Sequence, residues 1–129
     1  MIVWSNGCFD ILHVGHIEML EYAKSRGDYL FVGLDTDKRV QTNKGPDRPH
    51  NCLADRMRVI RSLRFVDSVV SFDSDEELLA EIKKSYASLI VIGDDYQNER
   101  VIGSELIPVE FFSKINGYSS TEMINALCV

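Results

Sequence analysis

The chain is short of several things, and each shortage excludes a class of protein. Its 129 residues include only three cysteines, Cys8, Cys52 and Cys128, an odd number with no Cys-x-x-Cys pair. That argues against a disulfide framework or a zinc ribbon and for reduced thiols in a cytosolic protein. Zinc usually wants three or four ligands, and beside His13 and His16 the only other histidine is His50. No apolar run is long enough to cross a bilayer, and the start lacks the basic region and long apolar core of a signal peptide. No membrane role is expected, and the expected compartment is the cytoplasm. The net charge of −6 argues against nucleic acid as the main partner. Repeats, low-complexity stretches and linkers are lacking too, so residues 1–129 read as one domain.

What is present gathers around Asn6-Gly7-Cys8-Phe9-Asp10-Ile11-Leu12-His13-Val14-Gly15-His16. Apolar Ile2-Val3-Trp4 leads in, and a helical pattern from Ile17 to Lys24 leads out, so the stretch reads as a strand-to-helix turn. In α/β proteins such turns lie at the carboxyl edge of the sheet, where ligands bind. A helix N-terminus there offers N–H groups and partial positive charge suited to phosphate. Gly15 would let an anion approach the backbone. His13 and His16, three apart, share one face of a first helical turn. They could cap the helix or face solvent, bind a metal, or donate to a phosphoryl group. The glycine between them and the preceding Gly-Cys-Phe-Asp turn fit the third reading best.

Gly7-Cys8-Phe9-Asp10 with His13-Val14-Gly15-His16 resembles the signature of the cytidylyltransferase-like nucleotidyltransferases, whose motif is His-x-Gly-His. Within that family the chain resembles the adenylyltransferase domain of ADP-heptose synthase and the glycerol-3-phosphate cytidylyltransferases, from Ile2 to about Leu127. The resemblance implies transfer of a nucleoside monophosphate, AMP by preference, from a triphosphate to a sugar 1-phosphate, with release of pyrophosphate. CTP with glycerol 3-phosphate is the alternative, and a catalytically silent nucleotide-binding module is an alternative of another class. It also implies magnesium carried by the triphosphate, with no protein metal site, and a homodimer.

Lys38, Arg39, Lys44, Arg48, Arg56, Arg58, Arg61 and Arg64 crowd one segment, opposed within it by Asp47 and Asp55. A basic stretch on an acidic protein suits a small polyanion such as a nucleoside triphosphate. Arg58, Arg61 and Arg64 read as a solvated helix face. Residues 38–51, with Gly45-Pro46 and Pro49, read as one long irregular loop. Its Lys44-Gly45-Pro46-Asp47-Arg48-Pro49 resembles the Lys-Gly-x-x-Arg-Pro loop of the heptose adenylyltransferases, which implies that Lys44 reaches the triphosphate; Arg48 could simply pin the loop. Arg56 matches a family arginine that faces the site, although a surface charge would explain it equally.

The expected fold is an α/β Rossmann-like domain, with a five-stranded parallel sheet, helices on both faces and strand order 3-2-1-4-5. Strands are predicted at 29–34, 66–72, 89–92 and 107–112, after the first at Ile2-Val3-Trp4. Helices are predicted from about His16 to Ser25, from Leu53 to Leu63 capped by Asn51, and after a Ser74–Glu77 capping box. Asp35-Thr36-Asp37 closes the second strand at the carboxyl edge. The resemblance assigns nucleotide contacts to Gly7, Cys8, Phe9, Gly15, Lys114, Ser119, Ser120 and Thr121. Lys114 stands where the cytidylyltransferases carry arginine, and Ser120 replaces a threonine. Asp10, Asp37, Arg56, Asp94 and Asp95 are assigned to acceptor binding or loop bracing, the last two in a Gly-Asp-Asp turn after the fourth strand.

Overall fold

The computed structural model describes residues 1–94 and 99–113. Five strands form one parallel sheet: β1 (Ile2–Gly7), β2 (Tyr29–Asp35), β3 (Ser68–Phe72), β4 (Leu89–Gly93) and β5 (Val109–Phe112). Their order is β3-β2-β1-β4-β5, as expected. The chain therefore works outward from β1 to β3, then returns to the other side of β1 for β4. The crevice between the carboxyl ends of β1 and β4 is the topological switch point, where open α/β sheets bind ligands.

Strand alternation divides the core into two layers. Val3, Leu30, Val32, Leu34, Leu89 and Val91 meet Met19, Leu20 and Ala23 of α1 (Val14–Ser25) and Ile60 of α3 (Leu53–Arg61). Trp4, Phe72, Ile90 and Ile92 point the other way and pack on Leu78 and Ile82 of α4 (Asp75–Ser85). Helices thus cover both faces, and a sheet buried on both sides reads as continuous apolar runs.

Several boundaries move, and three expectations fail. Residues 38–51 are not one irregular loop, because α2 (Asp37–Lys44) occupies their first half. Thr36 caps it by accepting from the Arg39 N–H, and Gly45, at φ 106°, ends it. The two prolines forbid helix only beyond Gly45. Helix α1 begins at Val14 rather than His16, with His13 as its N-cap. Cys52, not Asn51, is the N-cap residue of α3, and it makes no side-chain cap bond. The Asn51 side chain donates instead to the Asp10 carbonyl, at 2.6 Å. At α4, Ser74 accepts from the Glu77 N–H, but the Glu77 carboxylate takes the Asp73 N–H, one residue earlier than a capping box requires. Strand β3 starts at Ser68 rather than 66, since Asp67 turns aside to accept from the Leu30 N–H at 2.8 Å. Pro108 precedes β5 and lends only its carbonyl, to the Ile90 N–H.

Gly33 shows how tightly the second layer is packed. A Cβ there would lie 2.5 Å from Cζ2 of the fully buried Trp4 and 3.1 Å from Cε1 of Phe72. Neither ring can yield without disturbing the layer. Gly33→Ala should therefore destabilise the protein by about 1–3 kcal/mol. Urea unfolding measures this, and an unchanged midpoint would show that Trp4 does not pack over Gly33.

Candidate active site

The turn after β1 is shaped by its own residues. Phe9 adopts a left-handed backbone, φ 51°, which is strained for a side chain of this size. That conformation buries the ring and sets it edge-on to His16, with centroids 5.3 Å apart. Gly7 leaves room for it, because a Cβ at position 7 would come within 3.2 Å of the Phe9 ring.

At the start of α1 the two histidines lock each other in place. The His13 Nδ1 accepts from the Gly15 N–H at 3.1 Å, and the His16 Nδ1 accepts from the His13 N–H at 3.3 Å. Their rings stack, with centroids 3.8 Å apart. Both N–H groups belong to the set that a helix start leaves without intrahelical partners. A ring nitrogen that accepts cannot carry a proton, so in each neutral ring the proton sits on Nε2. The capping reading of these residues is thus structurally real, and it specifies a tautomer with Nε2 as donor. It also uses the Gly15 N–H, one of the groups expected to meet an anion.

Two ion pairs hold the surrounding loops, one buried and one with a buried arginine and a partly exposed aspartate. The Asp10 side chain is fully buried. Its carboxylate accepts from the backbone N–H groups of His50 and Asn51 and from Arg48 Nε at 3.1 Å. Burial pushes this carboxyl up, but the two backbone bonds and Arg48 outweigh it, and the net shift is downward. Arg48 leaves Nη2 buried without a hydrogen-bond acceptor among the described residues. Arg56 is not a surface charge: it is 1 % exposed. Its guanidinium donates to the carbonyls of Asn51, Cys8 and Asp35 and to Asp37 Oδ1, at 2.7–3.0 Å. Those four bonds commit it to bracing the loops rather than to a ligand. Asp37, its partner, is the first residue of α2.

Lys44 is exposed at the end of α2. With Cys8 it lines a cavity of about 620 Å³ at the carboxyl ends of β1, β2, β3 and β4. Burial pushes the Cys8 thiol up, and the cations of Lys44 and Arg56 offset this only in part. Asp94 directly follows β4 at the same edge. Asp95, Lys114, Ser119, Ser120 and Thr121 lie outside the described residues. Reading the chain alone missed Asp35, Arg39 and Asp75 as cavity residues. Asp35 could have been suspected from its place at a strand's carboxyl end. Asp75 had a sufficient explanation in the dipole of α4.

A parallel sheet with a switch point beside β1, and a histidine-capped helix opening from it, defines a Rossmann-like α/β fold with its ligand edge at that turn. The chain belongs to the cytidylyltransferase-like family, whose model matches residues 4–126. It is similar to the bifunctional protein HldE of Campylobacter fetus, 44% identical over 127 residues, and to that of Histophilus somni, 43% identical over 133. These alignments take in 98% of this chain but only 28% and 27% of the two relatives, so the chain spans little more than a quarter of their length. Among solved structures it resembles a lipopolysaccharide core biosynthesis protein from Thermoplasma volcanium. That likeness has a TM-score of 0.72 and 25% identity, covering 92% of this chain and 98% of the other.

The Asp10 network yields a pH-dependent prediction. A carboxyl held below its unfolded value adds stability above the unfolded pKa, and that stability is lost as pH falls through the folded value. Asp10→Asn would turn an amide N–H toward donors that need an acceptor. It should cost about 3–5 kcal/mol near neutrality. Below about pH 4, the ordinary range of an aspartate, its deficit relative to the parent should shrink. Denaturation of both proteins from pH 7 to pH 3 tests this, and a deficit that stays constant would remove the charge from the explanation.

Proposed function

We propose that this domain transfers AMP from ATP to a sugar 1-phosphate and releases pyrophosphate. The observation that carries the reading is the interlocked histidine pair at the start of α1, beside the switch point, whose Nδ1 bonds leave the proton of each neutral ring on Nε2. Lys44 lies along the same edge. The acceptor's phosphate oxygen would attack the α-phosphorus in line, forming one P–O bond as the bond to the β-phosphate oxygen breaks. A phosphate dianion is already nucleophilic, so positioning and charge stabilisation would provide the catalysis. His13 and His16 would donate to the phosphoryl oxygens, and Lys44 would hold the departing pyrophosphate. Magnesium bound with the triphosphate would neutralise phosphate charge. Its ligands would be mainly phosphate oxygens and water.

The choice of nucleotide and acceptor rests on the relatives. The HldE proteins align over nearly the whole chain, and the Lys44–Pro49 loop resembles that of the heptose adenylyltransferases. Lys114, in place of an arginine, would offer phosphate a point charge rather than a planar two-bond contact.

His16→Asn separates capping from catalysis. Asparagine can place an amide oxygen where Nδ1 accepts from His13, yet it ends short of Nε2. Helix stability should persist while kcat falls ~100–1,000-fold, as for the loss of one preorganised donor. Near-full kcat would reduce His16 to a cap.

The nucleotide preference is read by pyrophosphate release from ATP and CTP, each with the same sugar 1-phosphates and with glycerol 3-phosphate. At saturating magnesium, kcat/KM for ATP with a sugar 1-phosphate should exceed that for CTP by about tenfold or more, or ~1.4 kcal/mol. A preference for CTP with glycerol 3-phosphate would overturn the adenylyl assignment. Release with no pair would leave a nucleotide-binding module.

A further inference from the structure

The cavity beside the histidine turn is not explained by phosphate chemistry alone. Cys8 and Lys44 link it to the phosphate side, and about 620 Å³ is ample for a small organic ligand. Its wall also carries the carboxylates of Asp35, Asp75 and Glu99 and the cations of Arg39 and Arg100, set against apolar Val40 and Ile92. Carboxylate oxygens set among those cations suit the hydroxyl donors of a sugar as well as its phosphate. Phe72 does not offer a bare face for a nucleobase, because the Arg39 guanidinium lies over its ring, 5.3 Å from the centroid.

Asp35 is the best fixed of these carboxylates. It ends β2, its side chain is 17% exposed, and Oδ1 accepts from Arg39 Nε at 2.8 Å. Arg39 is held in turn by Asp75, which accepts from Nη2 at 2.7 Å. Asp35 Oδ2 takes no hydrogen bond from the described residues. The carboxylate is thus oriented through one oxygen, on the wall of a cavity that meets the phosphate side. Burial pushes its carboxyl up, with Arg39 opposing the shift. We infer that Asp35 is a specificity-determining residue of the transferase, its Oδ2 accepting a hydrogen bond from one hydroxyl of the acceptor's sugar. The inference rests on the transferase reading above. A tether for α2 would explain the Asp35–Arg39 pair without any ligand, so the experiment has to separate the two.

A cycle pairing residue with hydroxyl does so. The parent protein is assayed for pyrophosphate release with ATP and a series of sugar 1-phosphates, each compared with its monodeoxy analogues. For one hydroxyl the parent should prefer the intact acceptor by about 10–100-fold in kcat/KM, as expected for a hydrogen bond to a charged group. In Asp35→Ala that preference should collapse to within about threefold, with the loss falling on the intact acceptor and the KM for ATP in place. Asp35→Asn keeps an oxygen for Arg39 and covers the case in which the alanine variant does not fold. It should lose part of the preference, because a neutral partner replaces the charge. If both variants slow intact and deoxy acceptors equally, so that the preference survives, Asp35 merely tethers α2 and the inference is overturned. If the parent releases pyrophosphate with no sugar 1-phosphate, the acceptor reading itself falls, and the inference with it.

Discussion

One buried guanidinium fixes the carboxyl edge. Arg56 lies inside the protein, and each of its four hydrogen bonds goes to a different segment: the turn after β1, the end of β2, the first residue of α2 and the approach to α3. Three of the four acceptors are backbone carbonyls, which loops leave unpaired and which have no water to turn to when buried. A lysine could not replace it, because an ammonium is a point charge without the fork that reaches several carbonyls at once. Removing the guanidinium would strand those carbonyls. The loops around the candidate site therefore hold their places before any ligand arrives.

Asp10 does the complementary work. Arg56 gathers carbonyls, whereas Asp10 gathers N–H donors from the loop that follows α2, together with Arg48. The turn after β1 is thus stapled twice, through its Cys8 carbonyl by a cation and through its Asp10 carboxylate by donors. Such satisfied polar networks stiffen loops that hydrophobic contact alone would leave loose. That stiffness bears on function, because positioning catalysis depends on reacting groups held to within fractions of an ångström.

How much of this could be read from the chain follows from the signals each part carries. The strands were legible because both faces of the sheet are buried, which leaves runs such as Leu89-Ile90-Val91-Ile92 unmistakable. The strand order followed from the resemblance and from the right-handed crossover rule. Helix α2 was not legible. Val40 is its one buried residue, so it has no apolar stripe, and polar Asp-Lys-Arg-Val-Gln-Thr-Asn-Lys next to Gly-Pro looks like loop. Tertiary ties from Thr36, Arg39 and Asp37 hold it. Arg56 was ambiguous for a related reason: a charged residue in the first turn of a helix gives no local sign of burial. The histidines were legible as a motif, but their mutual Nδ1 bonds depend on backbone geometry that no spacing rule supplies.

Those bonds also bear on whether capping and the proposed chemistry would compete for His13 and His16. A helix N-cap asks for a single acceptor, which serine or aspartate supplies with fewer atoms and less rotamer freedom to lose. Imidazole meets the same need with Nδ1 and still has a second nitrogen at the far side of a rigid ring. Because Nδ1 is engaged by a backbone N–H in both residues, each neutral ring must hold its proton at Nε2. The stacked rings and the Phe9 edge against His16 then limit rotation about the side-chain bonds. The cap is the device that sets tautomer and direction together. A hydrogen-bond donor so constrained needs no reorganisation when negative charge builds opposite it, and avoiding that reorganisation is where electrostatic catalysis gains most over water.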